Sequence, residues 1–308
     1  MSSLHIALVG ATGNLGPAIL HQLAVASFKI TVLTRVGGSS KVEVPPGADI
    51  LVKEVDYDDH GALVAALQTV EVAVSTLGFQ SLFETQKKII DACIEARVTR
   101  FLPSEFGNDT ANENVRKLPV FLEKVKTQEY LVSKVANHPE LSYTFLYTNS
   151  FFDWQLKIGF MVNLKDHTAT LYDGGDVLFS ATRLSTIGRA IVAVCKSLEA
   201  TRNQDIYVHD ASVTQKKLID IARGIDDHQW QTNTVSTVDV ERDAYSLLES
   251  GVQGDMVKAS LGFISRACWG SGYGGDFTKK IHNEMLGIPL MSDDEIRDMI
   301  EEIISSSS

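Results

Sequence analysis

Two features near the start of the chain carry chemistry. Gly10-Ala11-Thr12-Gly13-Asn14-Leu15-Gly16 is a glycine-spaced turn, and Arg35 stands one helix and one strand further on. The apolar run Leu4–Val9 precedes the turn at buried-strand length. Ile19, Leu20 and Leu23 then mark a helix, and Ile30–Thr34 a second strand that closes on Arg35. Glycines let a backbone turn tightly and approach a pyrophosphate, while the helix that follows offers free N–H groups and the positive end of its dipole. The spacing is G-x-x-G-x-x-G rather than the commoner G-x-G-x-x-G, so its weight rests on the strand before it and the helix after it. At the end of such a second strand an acidic residue binds a ribose 2′-hydroxyl, whereas an arginine suits a 2′-phosphate. Gly10, Thr12, Gly13, Asn14, Leu15, Gly16 and Arg35 are therefore expected to hold a dinucleotide of the NADP(H) type. Lys41, with Ser39 and Ser40, lies close enough in sequence to share the phosphate. A charge-assisted hydrogen bond there contributes about 1.5–3 kcal/mol, enough to set the preference.

The elements that position this turn continue in the same rhythm. Ile50–Val52 with Val55-Asp56, Val72–Thr76, Arg100–Leu102 and Tyr143–Tyr147 read as further strands. Gly61–Gln68 and Ser81–Ala96 read as helices, the second with Leu82, Ile89, Ile90, Cys93 and Ile94 along one side. Strands alternating with helices predict an α/β fold: a Rossmann-type doubly wound parallel sheet, with a smaller C-terminal substrate-binding region. Ligands of such sheets sit at the carboxyl ends of the strands, which singles out Gly10, Arg35, Asp56, Thr76, Pro103 and Thr148.

Composition bounds the rest. The net charge is −11 over 308 residues, 44% of them apolar, so the chain can bury a sizeable core. That charge argues against the clustered basic surface that a nucleic-acid binder needs. Cys93, Cys195 and Cys268 are widely spaced and odd in number, which fits small buried hydrophobes better than a disulfide framework or a metal site. No apolar run approaches the roughly 20 residues of a membrane span, and the sequence enters its first strand without a signal-peptide pattern. The expectation is a cytoplasmic protein acting on a small molecule. It would have no nucleic-acid, membrane or metal partner, and would be a monomer or a homodimer.

Past about residue 150 the alternation fades. Phe151-Phe152-Asp153-Trp154 is aromatic, Ile187–Leu198 looks helical, Asp205–Val208 reads as a strand and a helix starts near Thr214. The glycine-rich stretch Trp269–Gly275 suggests a mobile loop over a pocket, and Phe151, Phe152, Trp154, Trp269 and Tyr273 read either as pocket walls or, equally, as ordinary core. Ser292-Asp293-Asp294-Glu295 reads as a helix N-cap with acidic first-turn residues. The expected division is a dinucleotide-binding region over residues 1–155, a mixed α/β substrate-covering region over 156–304, with strands able to return to the main sheet, and a disordered tail over 305–308. His209-Asp210 invites a dyad, but neighbours in a strand point to opposite faces, so the pair is expected to be structural.

The run Phe101-Leu102-Pro103-Ser104-Glu105-Phe106-Gly107, together with the glycine turn, resembles the NmrA-like atypical short-chain dehydrogenases. It is most similar to the isoflavone-reductase-like group, which includes pinoresinol–lariciresinol and phenylcoumaran benzylic ether reductases. Ser75-Thr76-Leu77-Gly78, Gln86 and Asn149-Ser150-Phe151-Phe152 also match, and the likeness covers roughly residues 4–155. The resemblance implies that Thr76, Gly78, Pro103, Ser104, Asn149 and Phe152 approach the cofactor, with Ser104 and Glu105 equally readable as anchors of the strand end. It places Asp56 near the adenine, where a cap on the next turn is the competing reading. It also implies that Lys124, in Phe121-Leu122-Glu123-Lys124-Val125-Lys126, is the general acid/base. A rival is Tyr130-Leu131-Val132-Ser133-Lys134, the Y-x-x-x-K of ordinary short-chain dehydrogenases. Lys124 and Tyr130 are six positions apart on one helix and point about 120° apart, so both cannot serve one site. The family's paired arginines are replaced by Gln128 and Glu129, which leaves substrate placement open.

The resulting expectation is an NADPH-dependent reductase delivering hydride to an apolar aromatic or polyketide-like molecule. The alternatives are a non-catalytic redox sensor acting on a partner protein, and a redox-neutral enzyme on the same fold.

Overall fold

The computed structural model describes residues 4–78, 82–226 and 228–306. Two compact units interleave along the chain. Met1–Phe106, Glu123–Tyr147 and Ser185–Ile206 form the first; Gly107–Leu122, Thr148–Leu184 and Tyr207–Ser308 form the second. Each unit draws segments from both sides of residue 155, so no single cut there separates them.

The first unit is built on short apolar strands: β1 (His5–Val9), β2 (Lys29–Arg35), β3 (Ile50–Val55), β4 (Val72–Ser75), β5 (Arg100–Leu102) and β6 (Ser142–Tyr147). Between them run α1 (Gly16–Val25), α2 (His60–Ala66), α3 (Leu82–Glu95) and α4 (Leu122–Asn137). Strands β1, β4 and β5 are buried at every position, as parallel strands covered on both faces must be. The pairs β3/β2, β2/β1, β1/β4, β4/β5 and β5/β6 are all parallel. Arg100 is buried in β5 and donates to Ser142 Oγ at 2.8 Å and Thr144 Oγ1 at 2.7 Å, so its charge ties β5 to β6.

The second unit begins with β7 (Ser150–Phe151), α5 (Phe152–Lys157), β8 (Thr168–Tyr172) and β9 (Phe179–Thr182). The chain then forms α6 (Leu184–Lys196) and β10 (Gln204–Tyr207). Strand β10 completes a seven-stranded sheet of order β10-β6-β5-β4-β1-β2-β3. The remaining elements are β11 (Ala211–Val213), α7 (Gln215–Asp226), β12 (Gln231–Val235), α8 (Thr237–Glu249), α9 (Gln253–Trp269) and α10 (Asp293–Ser306). Strands β11-β9-β7 form a three-stranded sheet, and β12 pairs in parallel with β8.

For Trp269 and Tyr273 the core reading is the one found, and one expectation for the C-terminus is corrected. Trp269 is 1% exposed, stacked on Tyr172 with centroids 4.4 Å apart and edged by Phe179 at 5.4 Å, and Tyr273 is also buried. Gly275 accepts from Ser180 N–H at 2.9 Å and from Asn149 Nδ2 at 2.8 Å. The glycines of 269–275 therefore permit close packing: this is an anchored segment, with its aromatic rings in the core. At the other end, Ser292 Oγ accepts from Glu295 N–H at 3.2 Å while the Glu295 carboxylate accepts from Ser292 N–H at 2.7 Å, a capping box. The helix it starts runs through Ser306, so the expected tail does not begin at Ser305; Ser307 and Ser308 lie outside the described residues.

Candidate active site

Strand order reverses between β1 and β4, and the residues just after those two strands are Gly10 and Thr76. Gly10 takes φ +86°, and a Cβ there would lie 2.8 Å from the Thr76 carbonyl carbon and oxygen. Thr76 Oγ1 donates to the carbonyls of Val9 and Gly10 at 2.9 Å each, which locks the two strand ends together. A Cβ on Gly16 would lie 2.3 Å from the Gly10 oxygen. Gly13 differs: its N–H closes the turn on Gly10 O at 3.1 Å, and the nearest atom to an added Cβ is 3.6 Å away. The outer glycines are thus required for packing and the middle one leaves an open backbone face. Thr12, Gly13 and Asn14 are exposed, Leu15 anchors the turn with a buried side chain, and the N-terminus of α1 has no side-chain cap. Free helix N–H groups beside an open glycine face are the donors and the shape that a pyrophosphate fits.

Around this turn, Arg35 is exposed at the end of β2, opposite Val55 in register, and Lys41 is exposed. Tyr57 donates its phenol to Leu33 O at 3.0 Å; burial pushes that phenol up to about 12 against the opposing charge of Arg35. Asp56 Oδ1 accepts from Asp58 N–H at 2.9 Å, the capping arrangement. Gly78 is exposed with open space where a Cβ would stand, and the buried Ser75 Oγ has no hydrogen-bond partner among the described residues.

The carboxyl end of β5 is a clamped turn. Pro103 is buried, Ser104 N–H donates to Gln86 Oε1 at 2.8 Å, and Ser104 Oγ donates to Leu77 O at 2.8 Å. Gln86 sits on α3 and its Nε2 reaches Thr127 Oγ1 on α4 at 3.4 Å, so one buried amide joins both helices to the turn. Lys124, in the first turn of α4, is only 8% exposed and its Nζ donates to the Glu105 carbonyl. Burial holds its pKa below the usual lysine value, partly offset by the Glu105 charge. An ammonium held this way readily gives up a proton to an oxygen that gains negative charge.

The rival pair has other partners. Tyr130 OH donates to Asp91 at 2.6 Å, and Lys134 Nζ lies 2.7 Å from the same carboxylate. The second unit holds two further residues expected at the cofactor. Asn149, at φ +50°, accepts from Asn108 Nδ2 at 2.7 Å and donates to Ser180 O at 3.0 Å and Gly275 O at 2.8 Å. Phe152 is fully buried in an apolar cluster with Trp269 and Phe179. Both side chains are committed to that unit's interior. His209 Nδ1 meets Ser180 Oγ at 2.7 Å while Asp210 pairs with Arg183 at 2.9 Å, so the two neighbouring side chains have separate partners. Sequence reasoning missed the bridging role of Gln86 and the part of Asp91, although the first stood in the motif match.

A doubly wound sheet with an open glycine turn at its switch point is the architecture of an α/β dinucleotide-binding fold. The sequence profile of the NmrA-like family matches residues 2–224. Oxidoreductase aprR from Aspergillus flavus is 30% identical over 300 residues, 96% of this chain and 97% of its own length. Two solved structures share the fold. AtPrR2 with NADP+ and (+)pinoresinol has a TM-score of 0.71 at 20% identity, covering 98% of this chain and 99% of its own. The leucoanthocyanidin reductase–NADPH complex from Vitis vinifera has a TM-score of 0.75 at 16% identity, with the same coverage. The chain belongs to the NmrA-like family. No helix among the described residues is long and apolar enough to cross a membrane.

Proposed function

We propose that the chain is an NADPH-dependent reductase of an apolar, aromatic small molecule, with Lys124 as its general acid/base. The observation that carries the reading is a lysine ammonium, 8% exposed, bonded to a carbonyl at the carboxyl end of β5. Buried lysines are rare, and ionisable groups with pKa values shifted by burial cluster at functional sites. The open face of Gly13, the uncapped start of α1 and the exposed Arg35 suit a dinucleotide carrying a 2′-phosphate. Bound NADPH supplies a hydride. The chain's own part is to hold Lys124 Nζ on the Glu105 carbonyl and to release its proton to the substrate oxygen that becomes electron-rich. Gln86 and Ser104 keep the carbonyl-bearing turn in place while this happens. The aromatic substrate class rests on the pinoresinol-bound structural relative.

Calorimetric titration tests the cofactor half. NADPH binds at least about tenfold tighter than NADH, the equivalent of one charge-assisted hydrogen bond, and Arg35→Glu abolishes the difference. Equal affinity for both nucleotides in the wild type removes the role given to Arg35. Tighter binding of oxidised forms, with no NADPH consumption on aromatic enones and quinones, favours a nucleotide sensor.

A further inference from the structure

We propose that His167, Asp226 and His228 form a binding site for a divalent d-block cation of the zinc type. His167 stands just before β8, Asp226 ends α7 and His228 leads into β12. The parallel pairing of β8 with β12 brings them together: Thr168 is opposite Gln231, whose N–H donates to the His167 carbonyl at 2.9 Å. His167 Nε2 lies 2.8 Å from Asp226 Oδ2, and His228 Nδ1 lies 3.5 Å from the same oxygen. The two imidazoles stack with centroids 4.3 Å apart and planes 16° from parallel. One nitrogen from each ring and one carboxylate oxygen all fall within 4.8 Å of one another.

Two imidazoles and one carboxylate are the donor set that zinc-type ions select, with water completing the shell. Magnesium and calcium prefer shells made of oxygen. Asp226 also sits at the carboxyl end of α7, where the helix dipole favours a cation. The side chains of His167 and Asp226 are 18% and 15% exposed and held in place, while that of His228 is 63% exposed and leaves a path for entry. His228 Nδ1 also contacts the Asp226 carbonyl at 3.0 Å, a bond exchanged for the metal or kept while the ring presents its other nitrogen. No metal-binding spacing marks these residues in the sequence, because His167 and Asp226 are 59 positions apart and only the ladder joins them. The ion would staple the start of β8 to the α7–β12 connection.

The test uses the full chain in metal-free buffer, titrated with zinc chloride alone by calorimetry. One saturable equivalent is expected, with a rise in Tm. His228→Ala, at an exposed position, should keep the apo fold and lose about tenfold or more in affinity. Trp230 lies edge-on to His167 with centroids 5.7 Å apart, so nickel should quench tryptophan fluorescence in the wild type and not in His228→Ala. Absence of saturable zinc binding overturns the proposal. So does binding that survives His167→Ala/His228→Ala, or displacement of zinc by millimolar magnesium.

Discussion

Helix α4 carries two lysines that the fold treats in opposite ways. Lys124 and Lys134 are ten residues apart, about 15 Å along the axis. Lys124 is 8% exposed and donates to the Glu105 carbonyl, with the Glu105 charge nearby; the Lys134 side chain is 31% exposed and meets the Asp91 carboxylate, with the Tyr130 ring 5.0 Å from its ammonium. Desolvation lowers the pKa of the first, while the hydrogen bonds to Asp91 and Tyr130 raise that of the second. One side-chain type is thus either buried with a lowered pKa or held as a positive staple with a raised one. Partner and burial decide which, and a Y-x-x-x-K spacing creates only proximity.

The largest expected effect follows directly. Lys124→Met should lower turnover by about 10²–10⁴-fold, the range for general acid/base groups, with NADPH affinity near wild type. Lys134→Met should leave turnover within about twofold, since a half-exposed staple contributes little beyond stability. Steady-state kinetics on both variants decide the matter; full activity in Lys124→Met with loss in Lys134→Met would hand the proton to the Tyr130 end.

A second effect tests what makes the Lys124 site different. Gln86 is buried and joins α3, the Ser104 turn and α4. Gln86→Leu keeps the volume and strands the Ser104 N–H, which costs about 1–3 kcal/mol. Denaturant midpoints should fall accordingly and kcat should drop with KM nearly constant. Asp91→Asn, the matching change beside Lys134, should leave kcat alone. Equal kinetic effects from both would erase the distinction between the two ends.

The ends differ in how visible they are from sequence. Strand limits, the parallel order and the glycine turn follow from apolar periodicity and local residue types, which is why β1, α1, β2 and β4 fall where expected. The three glycines look alike in the sequence, yet Gly10 is forced by Thr76, a contact between residues 66 apart, whereas Gly13 is open. Lys124 was reachable only through its family motif, because nothing in a helix-surface spacing reveals that Glu105 waits beneath it. Trp269–Gly275 misled for the same reason: glycines signal freedom locally, but Tyr172 and Phe179 arrive from distant strands to bury Trp269.

The smallest effect is the most discriminating, because it changes sign between the lysines. The folded pKa of Lys124 is depressed, so between that value and the unfolded value near 10.5 the unfolded chain binds more protons and stability rises with pH. Below that window the wild type bears the full cost of a buried ammonium. Lys124→Met should therefore raise Tm near pH 7, with a gain that shrinks as pH climbs toward 10.5. The folded pKa of Lys134 is raised, so its contribution is present below 10.5 and lost as pH rises through the folded value. Lys134→Met should lower stability by about 0.2–1 kcal/mol near pH 7, and its deficit should vanish at high pH. Thermal melts from pH 6 to 10.5 should show a shrinking gain for Lys124→Met and a constant deficit for Lys134→Met against wild type. Parallel slopes would mean that Lys124 is solvated like its neighbour, and the chemical argument for it would fall with its burial.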